Sequence, residues 1–148
     1  MSLVMSSLRD PFVYDSTLRG AIWKGLDQWK TPTTTVLRQA PAITRAFGVG
    51  NLRPLRVLGA MEKAHPSEPH YYLEAIGTRQ DWQSKGVGSA VMAAMLERCD
   101  REGLPAYLES SNPRNIPFYA RHGFEVRPLV PLPPGAPPMT PMWREPRP

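Results

Sequence analysis

Cysteine is nearly absent. Cys99 is the only one in 148 residues, which excludes an internal disulfide framework and fits a reduced, cytoplasmic setting. No neighbour in sequence would lower its thiol pKa, so a small buried helix residue is expected there rather than a nucleophile. Long apolar runs are missing too: no stretch of about 18 residues is expected to cross a membrane. The start, MSLVMSSLRDPFVYD, lacks a basic region followed by an apolar one, and so does not read as a secretory signal. There are no internal repeats. Concentrated charge of one sign is also lacking. Lys plus Arg number 18 against 13 Asp plus Glu, a net +5, but the basic residues are scattered. That argues for a local anion site and against a nucleic-acid track. His65 and His70 stand five apart with no cysteine or clustered carboxylate to complete a ligand set, so no metal site is expected.

One residue type is abundant. Of 18 prolines, nine fall in the last 22 residues. The tail VRPLVPLPPGAPPMTPMWREPRP cannot be helix and makes a poor central strand. It reads as an extended loop over the surface, with an edge strand at residues 139–144. A proline-rich ligand for a partner domain is the sharper alternative. The remainder, 41% hydrophobic and 21% charged, is ordinary for a soluble globular protein. It suits one domain over residues 1–130, followed by the tail at 131–148.

The first third is weakly patterned. Residues 21–24 suggest a short strand. Residues 33–47 suggest helix on either side of Pro41, and residues 54–65 a helix with proline in its first turn and Leu55, Leu58 and Met61 on one face. The second half is clearer. Residues 71–77 (YYLEAIG) read as a strand. Val87, Ala90, Val91, Ala94 and Met95 then recur at helical spacing, and the helix stops near Glu102 with Gly103 just beyond it. Residues 105–109 (PAYLE) form a second strand, so the order is strand, glycine loop, helix, strand. That is a βαβ unit with parallel strands. A short helix over residues 115–122 follows, with Asn115 as its cap and Phe118 as its core member, and then a strand at 124–127.

The loop between the first of these strands and its helix carries chemistry. Gln83, Ser84, Lys85, Gly86, Val87, Gly88 and Ser89 open a helix whose first amides have no partner and whose dipole is positive there. Gly86 and Gly88 let an anion approach the backbone, and Lys85 and Arg79 add charge. The plain alternative is a tight strand-to-helix turn. With no third spaced glycine it is not a dinucleotide fingerprint, and without GK[ST] it is not a P-loop.

Two segments together resemble a known family. YYLEAIGTRQDWQSKGVGSAVM resembles the cofactor motif of the GNAT superfamily, the Gcn5-related N-acetyltransferases, whose pattern Q/R-x-x-G-x-G/A is met by Gln83 through Gly88. YLESSNPRNIPFYARHGFEV resembles the family's second motif, with Asn112 or Asn115, Tyr119, Gly123 and Phe124. The resemblance implies an α/β (α+β) fold: a mixed, mostly antiparallel sheet with a central, splayed parallel strand pair and helices on both faces. It also implies acetyl-CoA as co-substrate, an amine acceptor of small-molecule or peptide origin, and no metal. The cradle would hold the pyrophosphate, and the pantetheine arm would pair with the backbone at Ile76, Gly77 and Thr78. An amide near Ile76 or Gly77 would polarise the thioester carbonyl, and Asn112 and Asn115 would bond the arm or cap the helix. Tyr119 matches the general acid. Glu74 is the candidate general base and Glu109 the runner-up. The family's domains open with a strand and two helices that shape the acceptor pocket, yet only about 20 residues precede the strand at 21–24. The acceptor site is thus remodelled, completed by a second chain in a homodimer, or lost, which would leave a non-catalytic acyl-CoA-binding module.

Overall fold

A computed structural model describes residues 19–26, 53–78 and 83–148, together with Phe12, Val13, Gln28, Trp29, Pro41, Arg45 and Gly48. Its strands are β1 (Phe12–Val13), β2 (Arg19–Lys24), β3 (Tyr71–Thr78), β4 (Ala106–Ser110), β5 (Glu125–Val126) and β6 (Thr140–Arg144). The helices are α1 (Arg53–Ala64), α2 (Val87–Glu102) and α3 (Ile116–Arg121), the last preceded by a 3-10 turn at Pro113–Asn115. The helix expected over residues 33–47 lies outside the described residues, apart from Pro41 and Arg45, which are helical. Among the described residues no helix is long and apolar enough to cross a membrane.

The strands form one sheet in the order β1-β2-β3-β4-β6-β5. Among the described strands β3 and β4 are the parallel pair, as the βαβ reading requires, and the other pairs are antiparallel. The tail strand forms where expected but not as an edge. β6 lies between β4 and β5, hydrogen-bonded to both. Its single proline, Pro141, removes only a donor: its carbonyl still accepts from Arg127 N at 2.9 Å. Met142, Trp143 and Arg144 keep their amides and bury their side chains, which outweighs the missing donor.

One face of the sheet carries α2 and α3. Tyr71, Leu73, Ala106, Leu108 and Met142 pack there against Met92, Met95, Leu96 and Cys99 of α2, with Tyr119 and Phe124. The buried stripe of α2 is rotated from the one the spacing suggested. Ala90 and Ala94 are exposed, and Met92 and Leu96 are buried in their place. Burying a Met or Leu contributes about 1.5–3 kcal/mol, far more than a methyl, so the larger side chains set the facing. Cys99 is fully buried, and burial pushes its thiol up to about 12, which excludes a nucleophile. α2 ends as expected: Gly103 is left-handed (φ 64°), and Leu104 N donates to Cys99 O at 2.9 Å.

α3 begins differently from the expectation. Asn115 has helical backbone and caps nothing. Asn112 is the capping residue, its Oδ1 accepting from Arg114 N at 3.1 Å. Pro113 starts a tight turn one step earlier and moves the cap with it.

Candidate active site

Strands β3 and β4 hold together only at Tyr71–Ala106, Tyr72–Tyr107 and Leu73–Leu108. Beyond Leu73 they splay. β3 bulges there: Ile22 of β2 faces Ala75 and Trp23 faces Leu73, so Glu74 has no opposite number. A bulge leaves the extra residue's backbone outside the ladder and re-aims the side chains after it. Past the bulge, Ile76 and Thr78 turn toward the α2 face, where Ile76 packs against the core.

There they meet the glycine loop. A cleft of about 580 Å³ is lined by Ile76, Gly77 and Thr78 of β3, by Gln83, Ser84, Gly86, Val87, Gly88 and Ser89, and by Asn115, Phe118, Tyr119 and Arg121. Gly86 precedes α2 with φ 76°, and Ser84 also has positive φ, at 61°. Only glycine adopts such a conformation at little cost. The cap position of α2 is held by Gly86, which has no side chain to cap with, so the first amides of α2 face the cleft with the helix dipole behind them. A Cβ on Gly88 would touch the Phe118 ring at 3.4 Å, so glycine keeps this wall thin. Tyr119 is buried, and burial raises its phenol above the ordinary value. Its proton is therefore retained at neutral pH.

The opposite face is polar and aromatic. Lys24 Nζ meets Glu74 Oε1 at 2.8 Å, with the Glu74 side chain 41% exposed. Glu109 is enclosed, its side chain 3% exposed, and accepts from Tyr72 Oη at 2.8 Å and Tyr107 Oη at 3.1 Å. Burial alone would raise its carboxyl; nearby His65 and the two hydroxyls outweigh that and hold it below the usual range. A second cavity of about 260 Å³ opens on this face, bordered among others by Glu68, Tyr107, Arg127 and Trp143.

A family model for the GNAT acetyltransferases matches residues 4–124. The chain belongs to the GNAT acetyltransferase family. Among relatives, an uncharacterised N-acetyltransferase of Schizosaccharomyces pombe is 41% identical over 54 residues, 36% of this chain and 22% of that protein. The chain thus spans about a fifth of that relative's length. Among solved structures, one described as histone acetyltransferase HPA2 and related acetyltransferase, from Corynebacterium glutamicum, is 26% identical. That match covers 90% of this chain and 61% of the other, with a TM-score of 0.58. Naa20 of Chaetomium thermophilum, solved with a bisubstrate analogue, shares the fold at TM-score 0.55 and 15% identity, covering 90% of this chain and 64% of the other.

The GNAT motifs thus converge in space. Both ends of the cleft come from segments the sequence singled out, yet not every expected residue lines it. Asn112 is a turn cap and does not line the cleft, whereas Asn115 does. Lys85 is exposed outside the lining, and Arg79 lies outside the described residues. Phe118 is not the core member of its pair: it is half-buried on the cleft wall, and Tyr119 is buried. Among the described residues no group of His, Cys, Asp and Glu is placed to hold a metal. Sequence reasoning missed Arg121, one turn beyond Phe118 on α3, whose spacing from Phe118 was the available signal. It also missed the bulge at Glu74, which left no mark in the residue pattern.

Proposed function

We propose that this chain takes an acetyl group from acetyl-CoA and transfers it to a primary amine of a small molecule or peptide by direct attack, in a ternary complex. The observation that carries this reading is the cleft at the splay, where the N-terminus of α2, a widened strand edge and Tyr119 meet. The residues fit the co-substrate: an anion cradle for pyrophosphate, a free strand edge for an amide-bearing arm, and an acid at the far end. Acetyl-CoA supplies an acetyl group already activated as a thioester.

The chain's residues divide the remaining work. The amides from Gly86 to Ser89 bind the diphosphate, with Arg121 adding charge. The backbone at Ile76, Gly77 and Thr78 aligns the pantetheine arm as an added strand. An amide at or just past the bulge, at Glu74 or near Ile76 and Gly77, polarises the carbonyl. Tyr119 Oη holds the proton that the departing sulfur needs when the C–N bond forms and the C–S bond breaks. The amine approaches from the face bearing Glu74 and Glu109. Glu74 is the exposed carboxylate nearest the bulge and is oriented by Lys24. The setting is cytoplasmic.

Isothermal titration of the whole chain with acetyl-CoA, followed by thiol release across a panel of amines, tests this directly. Absence of binding at high micromolar concentration would overturn it. Binding without acceptor-dependent release would leave the non-catalytic acyl-CoA-binding reading instead.

A further inference from the structure

The two histidines without a metal role are joined to the carboxylate without an assigned one. His70 Nδ1 lies 2.6 Å from the carbonyl of Glu68. A carbonyl only accepts, so this nitrogen carries hydrogen. His70 Nε2 lies 3.0 Å from His65 Nε2, and one hydrogen must sit between them. The other side of the His65 ring, Nδ1, faces Glu109 Oε1 at 3.7 Å. Two protons on the two rings would leave a bare lone pair there, aimed at a carboxylate. A third proton turns that repulsion into attraction. It can reside on His65, or on His70 with the shared hydrogen moved across the 3.0 Å contact. The pair is therefore built to gain or lose one proton. Burial lowers His70, although its bond to Glu68 opposes this, which favours placing the third proton beside Glu109.

The enclosure is consistent with such a role. The His65 and Glu109 side chains are each 3% exposed. Trp29 stacks on the His65 ring at 3.8 Å, and Tyr72 and Tyr107 meet it edge-on at 5.0 and 4.9 Å. Among the described residues, the titratable groups facing the pair are Glu109, Tyr107 and Tyr72 from the strands and Glu68 from the turn before β3; Glu74 stands beyond Tyr72, paired with Lys24. The location is also specific. Tyr72 and Tyr107 are ladder partners just before the splay, and Glu109 is the first β4 residue past the last paired position. The network thus sits at the apex of the splay, on the face away from Tyr119.

We propose that His65, coupled to Glu109 and His70, is a positioning element that stores the proton given up by the acceptor amine, received through Glu109 and its tyrosine hydroxyls. The inference rests on the acetyl-transfer reading. The ammonium N–H bond breaks, its electron pair stays on nitrogen, and the proton ends on the histidine pair as imidazolium. After product leaves, the proton returns to solvent. No oxidant or further reactant is involved. The working form is the unloaded pair, so the acid limb of kcat/KM reports loading.

Two measurements test this. Nitrogen-15 imidazole spectra of the apo chain, followed through pH, report the ring protons without any acceptor. We expect a neutral Nδ1–H tautomer for His70 and proton uptake at His65 that moves to lower pH in Glu109→Gln. A His65 ring that stays neutral while Glu109 is ionised, at every pH where the chain is folded, overturns the store. Kinetics then tests the relay. Tyr72→Phe removes one hydroxyl from Glu109 and keeps the ring. The less satisfied carboxylate holds the His65 proton more tightly, so the acid limb moves up in pH by about half a unit or more. Glu109→Gln moves it down and lowers kcat/KM at least tenfold, with acetyl-CoA affinity unchanged in both variants. If both variants turn over with the acid limb in place, the relay is wrong and acetyl transfer stands. If wild type binds acetyl-CoA and acetylates no amine, the relay and the transfer reading fall together, while the ring spectra still report the store.

Discussion

Arg144→Met probes what holds the two halves of the cleft in register. Arg144 ends β6 and donates from Nη1 and Nη2 to the two oxygens of Asp100 on α2, at 2.7 and 2.8 Å. Its Nε donates to His122 O at the end of α3, at 3.0 Å. One guanidinium therefore ties the helix that begins at the cradle to the helix that carries Tyr119. Removing one partner of a fully buried pair costs about 3–5 kcal/mol, and an exposed pair contributes about 0–1 kcal/mol. The Arg144 side chain is 4% exposed and that of Asp100 26%. The abandoned carboxylate reaches water and still accepts from Arg147 N at 2.8 Å. The expected loss is therefore about 2–3 kcal/mol, or about 4–12 °C in Tm for a chain of this size. The pH dependence has a definite sign. Arg144 holds the Asp100 carboxyl below its ordinary 3.8, so this stability is full above that value. It is lost as pH falls through the folded-state value. Thermal melts of wild type, Arg144→Met, Asp100→Asn and the double variant should show the full gap near neutrality and a narrowing gap in acid. A Tm within about 2 °C of wild type, or single-variant losses that simply add, would refute the clasp.

Three further outcomes follow from the site. Tyr119→Phe should lower kcat about a hundredfold with acetyl-CoA affinity retained. That is the low end of general-acid effects, because a thiol of pKa about 8.5 already leaves readily; an unchanged kcat removes Tyr119 from the mechanism. Gly86→Ala should weaken coenzyme A binding about fivefold to thirtyfold by titration calorimetry, the equivalent of about 1–2 kcal/mol for a left-handed alanine. Because a Cβ there meets nothing within 4 Å, Gly86→Asn should recover part of the loss. Cys99 should stay unlabelled by Ellman's reagent until the chain unfolds, since its thiol is fully buried and raised to about 12; labelling at native rates would contradict the packing of α2.

The legible parts of the sequence were those in which local chemistry decides the outcome. The glycine loop, the α2 stop at Gly103 and the parallel pair around it follow from backbone freedom and periodicity, and they locate the cleft. Failures came where a distant partner decides. The residues from 139 on read as an edge strand because prolines lack donors, but the apolar gain from Met142 and Trp143 places β6 inside the sheet. Asn115 read as a cap until Pro113 shifted the turn to Asn112. His65 and His70 read as an incomplete metal pair because Glu109, 39 residues beyond His70, reaches them only through the pairing of β3 with β4. No spacing rule along the chain anticipates that contact.

The bulge at Glu74 explains why the acid and the proposed proton store can coexist. Side chains on a strand alternate between faces. Without the extra residue, Ile76 and Thr78 would share the face of Tyr72, and the cleft at the start of α2 would lose its β3 wall. With it, the strand serves both faces: Tyr72 and Glu74 point to the Glu109 side, and Ile76 and Thr78 to the Tyr119 side. An acid and a base in direct contact would share one proton and lose their separate roles. Here the sheet lies between them. Burial keeps the Tyr119 phenol protonated on one face, and on the other His65 and two tyrosine hydroxyls outweigh burial and hold the Glu109 carboxyl below its usual range. In the proposed reaction the two faces communicate through the splay, which opens where the pairing of β3 and β4 ends at the bulge.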